Sequence, residues 1–173
     1  MYLETKRLKL ENFLIQDINS EYIEWLNDPE HMKYSEQKFI VHDYISCLNY
    51  LDKFDFINSF FLKISFENKM IGTITIFLDK KEEITIGNIG LLIGPKFTGL
   101  GLGLEAWQGV KKYFGALNSP TIILAGTRKN NDSMNRLAVK SGMRLLTPES
   151  AKLVVPRFST LNFSHFNYYY QEF

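Results

Sequence analysis

The sequence predicts an α/β fold, a three-layer α/β/α sandwich around one mixed, mostly antiparallel sheet. Three observations carry this. Strand-like and helical patterns follow one another in the order β-α-α-β-β-β-α-β-α-β-β. Glu67-Asn68-Lys69 joins two of the strand-like runs as a hairpin turn. Three glycines at alternate positions sit where a β-branched run gives way to a helical pattern. Taken in order, residues 8–13 alternate like a first strand. Residues 17–27 read as an amphipathic helix with Tyr22, Trp25 and Leu26 on its apolar side, stopped before Pro29. Residues 41–51 read as a second helix, with Ile45, Leu48 and Leu51 at helical spacing. Residues 60–66 and 70–78 are the hairpin strands, and 84–93 the central strand. Helix 102–117, strand 121–126 and helix 132–141 follow, and two last strands are expected near 151–158 and 165–172. No repeat, low-complexity tract or linker divides the chain, so one domain is expected over 1–173.

Composition narrows the function. The 173 residues, 45% hydrophobic and 23% charged, are ordinary for a soluble globular domain with a sizeable core. A net charge of +1 leaves no electrostatic footprint for nucleic acid. No apolar run approaches the roughly 20 residues of a membrane helix, so neither nucleic acid nor membrane is an expected partner. Cys47 is the only cysteine and forbids an internal disulfide. The start, Met1-Tyr2-Leu3-Glu4, lacks the basic and apolar regions of a signal peptide. Both point to a reducing compartment, the cytoplasm. His31, His42 and His165 share no metal-ligand spacing, and no metal is expected.

The most informative stretch is Gly94-Pro95-Lys96-Phe97-Thr98-Gly99-Leu100-Gly101-Leu102-Gly103-Leu104. Glycine lets backbone approach a ligand and adopt positive φ, and the free N–H groups of a helix start bind anions, phosphate above all. The loop is not a Rossmann fingerprint, because the sixth position counted from Gly99 is Leu104 and that counted from Gly101 is Ala106. It is not a Walker loop, because no lysine opens the helix.

Its order of strand, proline, glycine-rich loop and helix resembles the GNAT superfamily of acetyl-CoA-dependent N-acetyltransferases. That family's signature is Gln/Arg-x-x-Gly-x-Gly/Ala, and residues 98–103 occupy its frame, with Thr98 at the first position. A second segment, 131–143, is similar to the family's Asn-x-x-Ser/Ala-x-Arg-Leu-x-x-Lys-x-Gly-Phe. Asn131, Arg136, Leu137, Lys140 and Gly142 match, while Met134 and Met143 replace the small residue and the Phe. Read physically, it is a short helix capped by Asn131 and ended by Gly142. The chain start, Leu3 to Leu10 with Asp17 and Trp25-Leu26-Asn27-Asp28-Pro29, resembles the branch holding ribosomal-protein N-terminal acetyltransferases and acetyltransferases of surface-sugar and antibiotic metabolism.

The resemblance implies the GNAT acyl-CoA N-acyltransferase fold, with acetyl-CoA as co-substrate lying between strands 84–93 and 121–126. It assigns the backbone of Leu91, Leu92 and Ile93 to the pantetheine arm. The N–H groups of Gly99, Leu100, Gly101, Leu102, Gly103 and Leu104 go to the pyrophosphate, Asn131 to the pantetheine amides, and Arg136 or Lys140 to the 3′-phosphate. The reaction implied is direct attack of a primary amine, which needs a base for its proton and an acid for the leaving thiolate. Many members carry a Glu on the central strand and a Tyr on the second-motif helix. Here those positions hold Asn88 and Ala138. The remaining acid–base candidates are Glu30, His31, Tyr34, Glu36 and His42, in a region that covers the acceptor pocket in related folds, and Ser133 beside the expected sulfur. His31, Glu36 and Ser133 are taken forward, His31 first because its ordinary pKa lies near working pH. Cys47, mid-helix, is expected to pack in the core.

The expected activity is acetyl transfer to a small-molecule amine such as an amino sugar. A protein N-terminal acetyltransferase and a non-catalytic acyl-CoA-binding protein remain as alternatives, and a homodimer stays open.

Overall fold

The computed structural model describes residues 1–81, 84–117, 121–154 and 161–173. Eight strands form one sheet: β1 (Tyr2–Glu4), β2 (Leu8–Asn12), β3 (Ser59–Phe66), β4 (Lys69–Lys81), β5 (Ile84–Ile93), β6 (Thr121–Arg128), β7 (Arg144–Leu146) and β8 (Phe166–Glu172). Their spatial order is β1-β2-β3-β4-β5-β6-β8-β7. Every neighbouring pair is antiparallel except β5 with β6. The α-helices among the described residues are α1 (Ser20–Asn27), α2 (Tyr44–Leu51), α3 (Leu102–Gly115), α4 (Asp132–Lys140) and α5 (Pro148–Val154).

The layers follow from strand alternation. Leu62, Ile64, Ile74, Ile89, Ile123 and Ala125 face α3, where Leu102, Ala106, Trp107, Val110 and Phe114 close the main core. Phe61 faces the other way and packs with Tyr22, Trp25, Leu26, Cys47 and Leu51 of α1 and α2. Ile122 and Leu124, alternating with Ile123 and Ala125, meet Ala151 of α5 on that second face.

The hairpin turn between β3 and β4 has φ of 50° at Glu67 and 62° at Asn68, the two left-handed residues of a type I′ turn. Two helices start later than their periodicity suggests, because side chains cap them. Asn19 Oδ1 accepts from the Tyr22 N–H at 2.9 Å, and Asp43 Oδ1 from the Ser46 N–H at 2.7 Å. The strand expected near 151–158 is corrected: Pro148–Val154 is helix α5, and 155–158 lie outside the described residues. Thr147 and Ser150 cap it reciprocally, Ser150 N–H to Thr147 Oγ1 at 3.2 Å and Thr147 N–H to Ser150 Oγ at 2.9 Å, and Pro148 suits a first helical position. Strands β1 and β7, three residues each, leave too little alternation to read.

Candidate active site

Strands β5 and β6 pair over four rungs only, from Thr85 with Thr121 to Asn88 with Leu124. Beyond them β5 stays paired to β4 as far as Ile93, and β6 to β8 as far as Arg128. The two strands therefore separate, each turning an unpaired edge toward the other. Backbone N–H and C=O groups on those edges need partners. A cleft of about 1220 Å³ opens there, and Leu91, Leu92 and Ile93 line it.

The glycine loop closes one end. Gly99 and Gly101 have φ of 78° and 74°, where a side chain is strained, and Gly101 is the residue that caps α3. The first helical bond of α3 runs from the Glu105 N–H to the Gly101 carbonyl at 3.1 Å, so the N–H groups of Leu102, Gly103 and Leu104 have no partner within the helix. Gly103 lets the turn press on the sheet: a Cβ there would stand 3.2 Å from Ile93 Cγ1 and 3.3 Å from Leu91 Cδ2. A cradle of N–H groups on glycine backbone at the positive end of a 14-residue helix fits a diphosphate. Thr98 instead bonds the Pro95 carbonyl through Oγ1 at 2.9 Å.

A carboxylate in the first turn of α3 opposes that charge pattern for an anion, and the chain start neutralises it. Glu105 accepts from Thr5 Oγ1 at 2.6 Å, from the Arg7 backbone N–H at 2.7 Å and from Arg7 Nε at 2.6 Å. Burial alone raises this carboxyl's pKa, but the bonds from Thr5 and Arg7 outweigh it and hold the group below the usual range. Arg7 also donates from Nη1 to the Leu100 carbonyl at 3.4 Å, so one residue pins the loop and offsets its acid.

Helix α4 forms the opposite wall. Asn131 caps it, its Oδ1 accepting from the Met134 N–H at 3.3 Å, which leaves its amide NH2 as the donor edge. Ser133 is exposed in the first turn, and Arg136 and Lys140 are exposed further along; all four residues line the cleft. The turn before the helix is organised by Asn135. Its Nδ2 donates to the carbonyls of Arg128 at 3.1 Å, Lys129 at 3.1 Å and Asn131 at 2.8 Å. Its Oδ1 accepts from Asn167 Nδ2 and from Tyr169 Oη, both at 2.9 Å. Tyr169 lines the cleft, and burial keeps its phenol above the usual range, so it holds its proton near neutrality.

On the face away from α3, residues 28–42 cross from α1 to α2 over the cleft. Asn27 staples the neck: its Oδ1 accepts from the His42 N–H at 2.8 Å and its Nδ2 donates to the His42 carbonyl at 2.7 Å. Asp28 Oδ1 accepts from the Glu30 and His31 N–H groups at 2.9 and 3.1 Å. His31 is half-buried in the cleft wall and its Nε2 has no partner among the described residues. Burial lowers its pKa below 6.5, only partly offset by Asp28, which leaves a neutral imidazole with a buried, unpartnered nitrogen at neutral pH. Glu36 is paired with Arg128 Nη2. Cys47 packs in the cleft floor, where burial raises its thiol's pKa.

The structure thus gathers His31, Glu36, Ser133, Asn131, Arg136, Lys140 and the assigned loop and strand residues around one cleft; Leu100, 56% exposed, does not line it. Asn88 sits at the apex of the splay in the last rung, and Ala138 is buried in the main core, so neither offers an acid or base. Arg7, Asn135, Arg128 and Tyr169 escaped the sequence reading. Asn135 stands inside the second motif at an unconstrained position, Arg128 and Tyr169 reach the site through strand pairing, and Arg7 reaches it from the turn between β1 and β2. Among the described residues, no group of three or more His, Cys, Asp or Glu is arranged to hold a metal, and no helix is long and apolar enough to cross a membrane.

A family model described as an acetyltransferase (GNAT) domain matches residues 7–144. No curated protein sequence gives a significant match. Solved structures share the fold, among them the following three. A GNAT-family acetyltransferase from Bacillus anthracis is 23% identical with a TM-score of 0.70, covering 100% of this chain and 98% of that one. An acetyltransferase from Salmonella typhimurium that modifies the N-terminal serine of ribosomal protein L7/L12 is 13% identical with a TM-score of 0.78, covering 100% and 99%. The spermidine N-acetyltransferase of Vibrio cholerae, in complex with CoA and spermine, is 14% identical with a TM-score of 0.75, covering 97% and 96%.

Proposed function

Because the chain belongs to the GNAT acetyltransferase family, we propose that it carries the acetyl group of acetyl-CoA to the primary amine of a small molecule, an amino sugar for example, by direct attack. The observation that carries this reading is the separation of β5 from β6 directly after Asn88 and Leu124, with the glycine loop at its end. The thioester supplies an activated acyl carbon. Everything else is the work of this chain's residues. The N–H groups of Leu102, Gly103 and Leu104 bind the pyrophosphate, and Arg136 and Lys140 meet the 3′-phosphate. The open edge of Leu91 to Ile93 and the Asn131 amide hold the pantetheine arm. His31 Nε2 takes a proton from the acceptor ammonium, directly or through one water. The amine nitrogen bonds the acetyl carbon, the C–S bond breaks, and Ser133, in the first turn of α4, relays to the departing sulfur the second proton that the nitrogen sheds. With a buried, protonated Cys47 as the only thiol, no acetyl-enzyme forms.

A small acceptor is favoured over a protein chain because residues 28–42 roof the acceptor side, stapled at Asn27–His42. The test is release of free CoA from acetyl-CoA with a panel of amino sugars, polyamines, amino acids and peptides with free N-termini. Turnover of small amines supports the reading. Turnover of peptides alone favours the protein N-terminal alternative. Tight binding of acetyl-CoA without transfer to any amine favours a non-catalytic binding protein.

A further inference from the structure

We propose that the acceptor carries an acidic group, a carboxylate or a phosphate, beside its amine, and that Arg128 binds it. This rests on the acetyltransferase reading above. Arg128 ends β6, and strand alternation fixes its side. Ile123 and Ala125 face the core under α3, whereas Leu124 faces the opposite layer, and Arg128 falls in phase with Leu124. Its side chain therefore belongs to the face that residues 28–42 roof, the acceptor side, and Arg128 lines the cleft.

The guanidinium is held but half used. It lies over the Phe166 ring, 5.3 Å from the centroid, which fixes its plane. Its Nη2 donates to Glu36 Oε1, while its Nε is buried and has no partner among the described residues. Nε and Nη2 form one fork, a donor pair matched to two oxygens of a carboxylate or phosphate. Glu36 reaches that fork with one oxygen only. The Glu36 side chain is 70% exposed on a loop, and ion pairs of that kind exchange readily. Glu36 thus stands in for the acceptor's own acid and gives way to it, and the incoming group satisfies the stranded Nε. Lys53 lines the same cleft, as does Lys33, whose charge Glu30 meets at 3.4 Å.

The test uses the full chain saturated with CoA. Inorganic phosphate and acetate are each titrated against chloride at constant ionic strength while the Arg128 Nε–H resonance is followed by NMR. The resonance should shift saturably with phosphate or acetate and not with chloride, and Glu36→Gln should tighten that binding several-fold. In parallel, amines are compared as acetyl acceptors in pairs differing only in the acid: glucosamine 6-phosphate against glucosamine, and an amino acid against its amide. The acid-bearing member should have a KM about 10-fold lower or better, and the two pairs separate phosphate from carboxylate. Arg128→Met should erase the difference by raising the KM of the acid-bearing member. An Nε–H resonance that ignores both anions, or equal KM values within both pairs, overturns the proposal. Failure of transfer to every amine counts against the acetyltransferase reading instead, and the Nε–H titration still decides the anion site.

Discussion

Tyr169 donates its phenol proton to Asn135 Oδ1 at 2.9 Å, and through that bond the last strand holds the helix that walls the cleft. Asn135 spends all of its hydrogen-bonding capacity on this junction, with two strand side chains on its oxygen and three backbone carbonyls sharing the two hydrogens of its nitrogen. Asn135→Ala would strand those groups together. Stability in urea should fall by about 1–3 kcal/mol, and acetyl-CoA affinity should fall with it because the Asn131 cap loses its footing. Tyr169→Phe removes one of the five bonds and should cost a fraction of that. Equal stability of Asn135→Ala and the parent would show that the network is incidental.

Gly101 is the sharpest test of the phosphate cradle. At φ 74° a β-branched side chain is strained by roughly 1–2 kcal/mol and also intrudes on the approach to the first turn of α3. Calorimetry on Gly101→Val should show acetyl-CoA affinity reduced about tenfold or more. A folded variant with unchanged affinity would rule out the cradle.

Arg7 should matter to binding although it does not line the cleft. Arg7→Met frees the loop at Leu100 and leaves the Glu105 carboxylate without its cation in the first turn of α3. Acetyl-CoA should bind more weakly, and the companion Glu105→Gln should recover part of the loss by removing the unpaired acid. Titrations of the two single variants and the double variant measure the coupling.

The pH dependence follows from His31. Burial favours its neutral form, so the base is ready above a folded pKa that lies below 6.5 and is lost as pH falls through it. The acidic limb of the rate profile should therefore fall below pH 6.5, lower than a solvent-exposed histidine would put it. His31→Gln should abolish that limb and lower turnover about 10²-fold with acetyl-CoA affinity intact. Full turnover with the same profile would remove His31 from the mechanism.

Cys47 gives a separate check. With its thiol's pKa raised, incubation with acetyl-CoA alone should add no acetyl group detectable by intact mass. A stoichiometric adduct that an amine then discharges would require a different mechanism.

Much of this was legible in the sequence for a physical reason. The glycine loop, the α4 motif and strand β5 are contiguous, so their residue order encodes their geometry: β5 falls at Ile84–Ile93, the bounds its β-branched run suggests. The hairpin at Glu67 and Asn68 is equally local. What stayed hidden is what pairing across the sheet creates. Tyr169 faces Ala125, Arg128 faces Phe166, and Arg7 reaches Glu105 across ninety-odd positions of chain, contacts that no local period announces. The tail was misread because Ala151 to Val154 carries apolar residues without showing its direction, while the capping pair Thr147 and Ser150 lay just upstream of the window.

The four rungs between β5 and β6 join two blocks that are each continuous in the chain: β1 to β5 all lie before residue 94, and β6 to β8 all lie after residue 120. The seam of the active site is therefore also a seam of assembly. The parallel rungs cannot close as a hairpin does and need the α3 crossover in position. A substrate lying in that seam touches both blocks and acts as a brace between them, so occupancy of the site and cohesion of the sheet rise together.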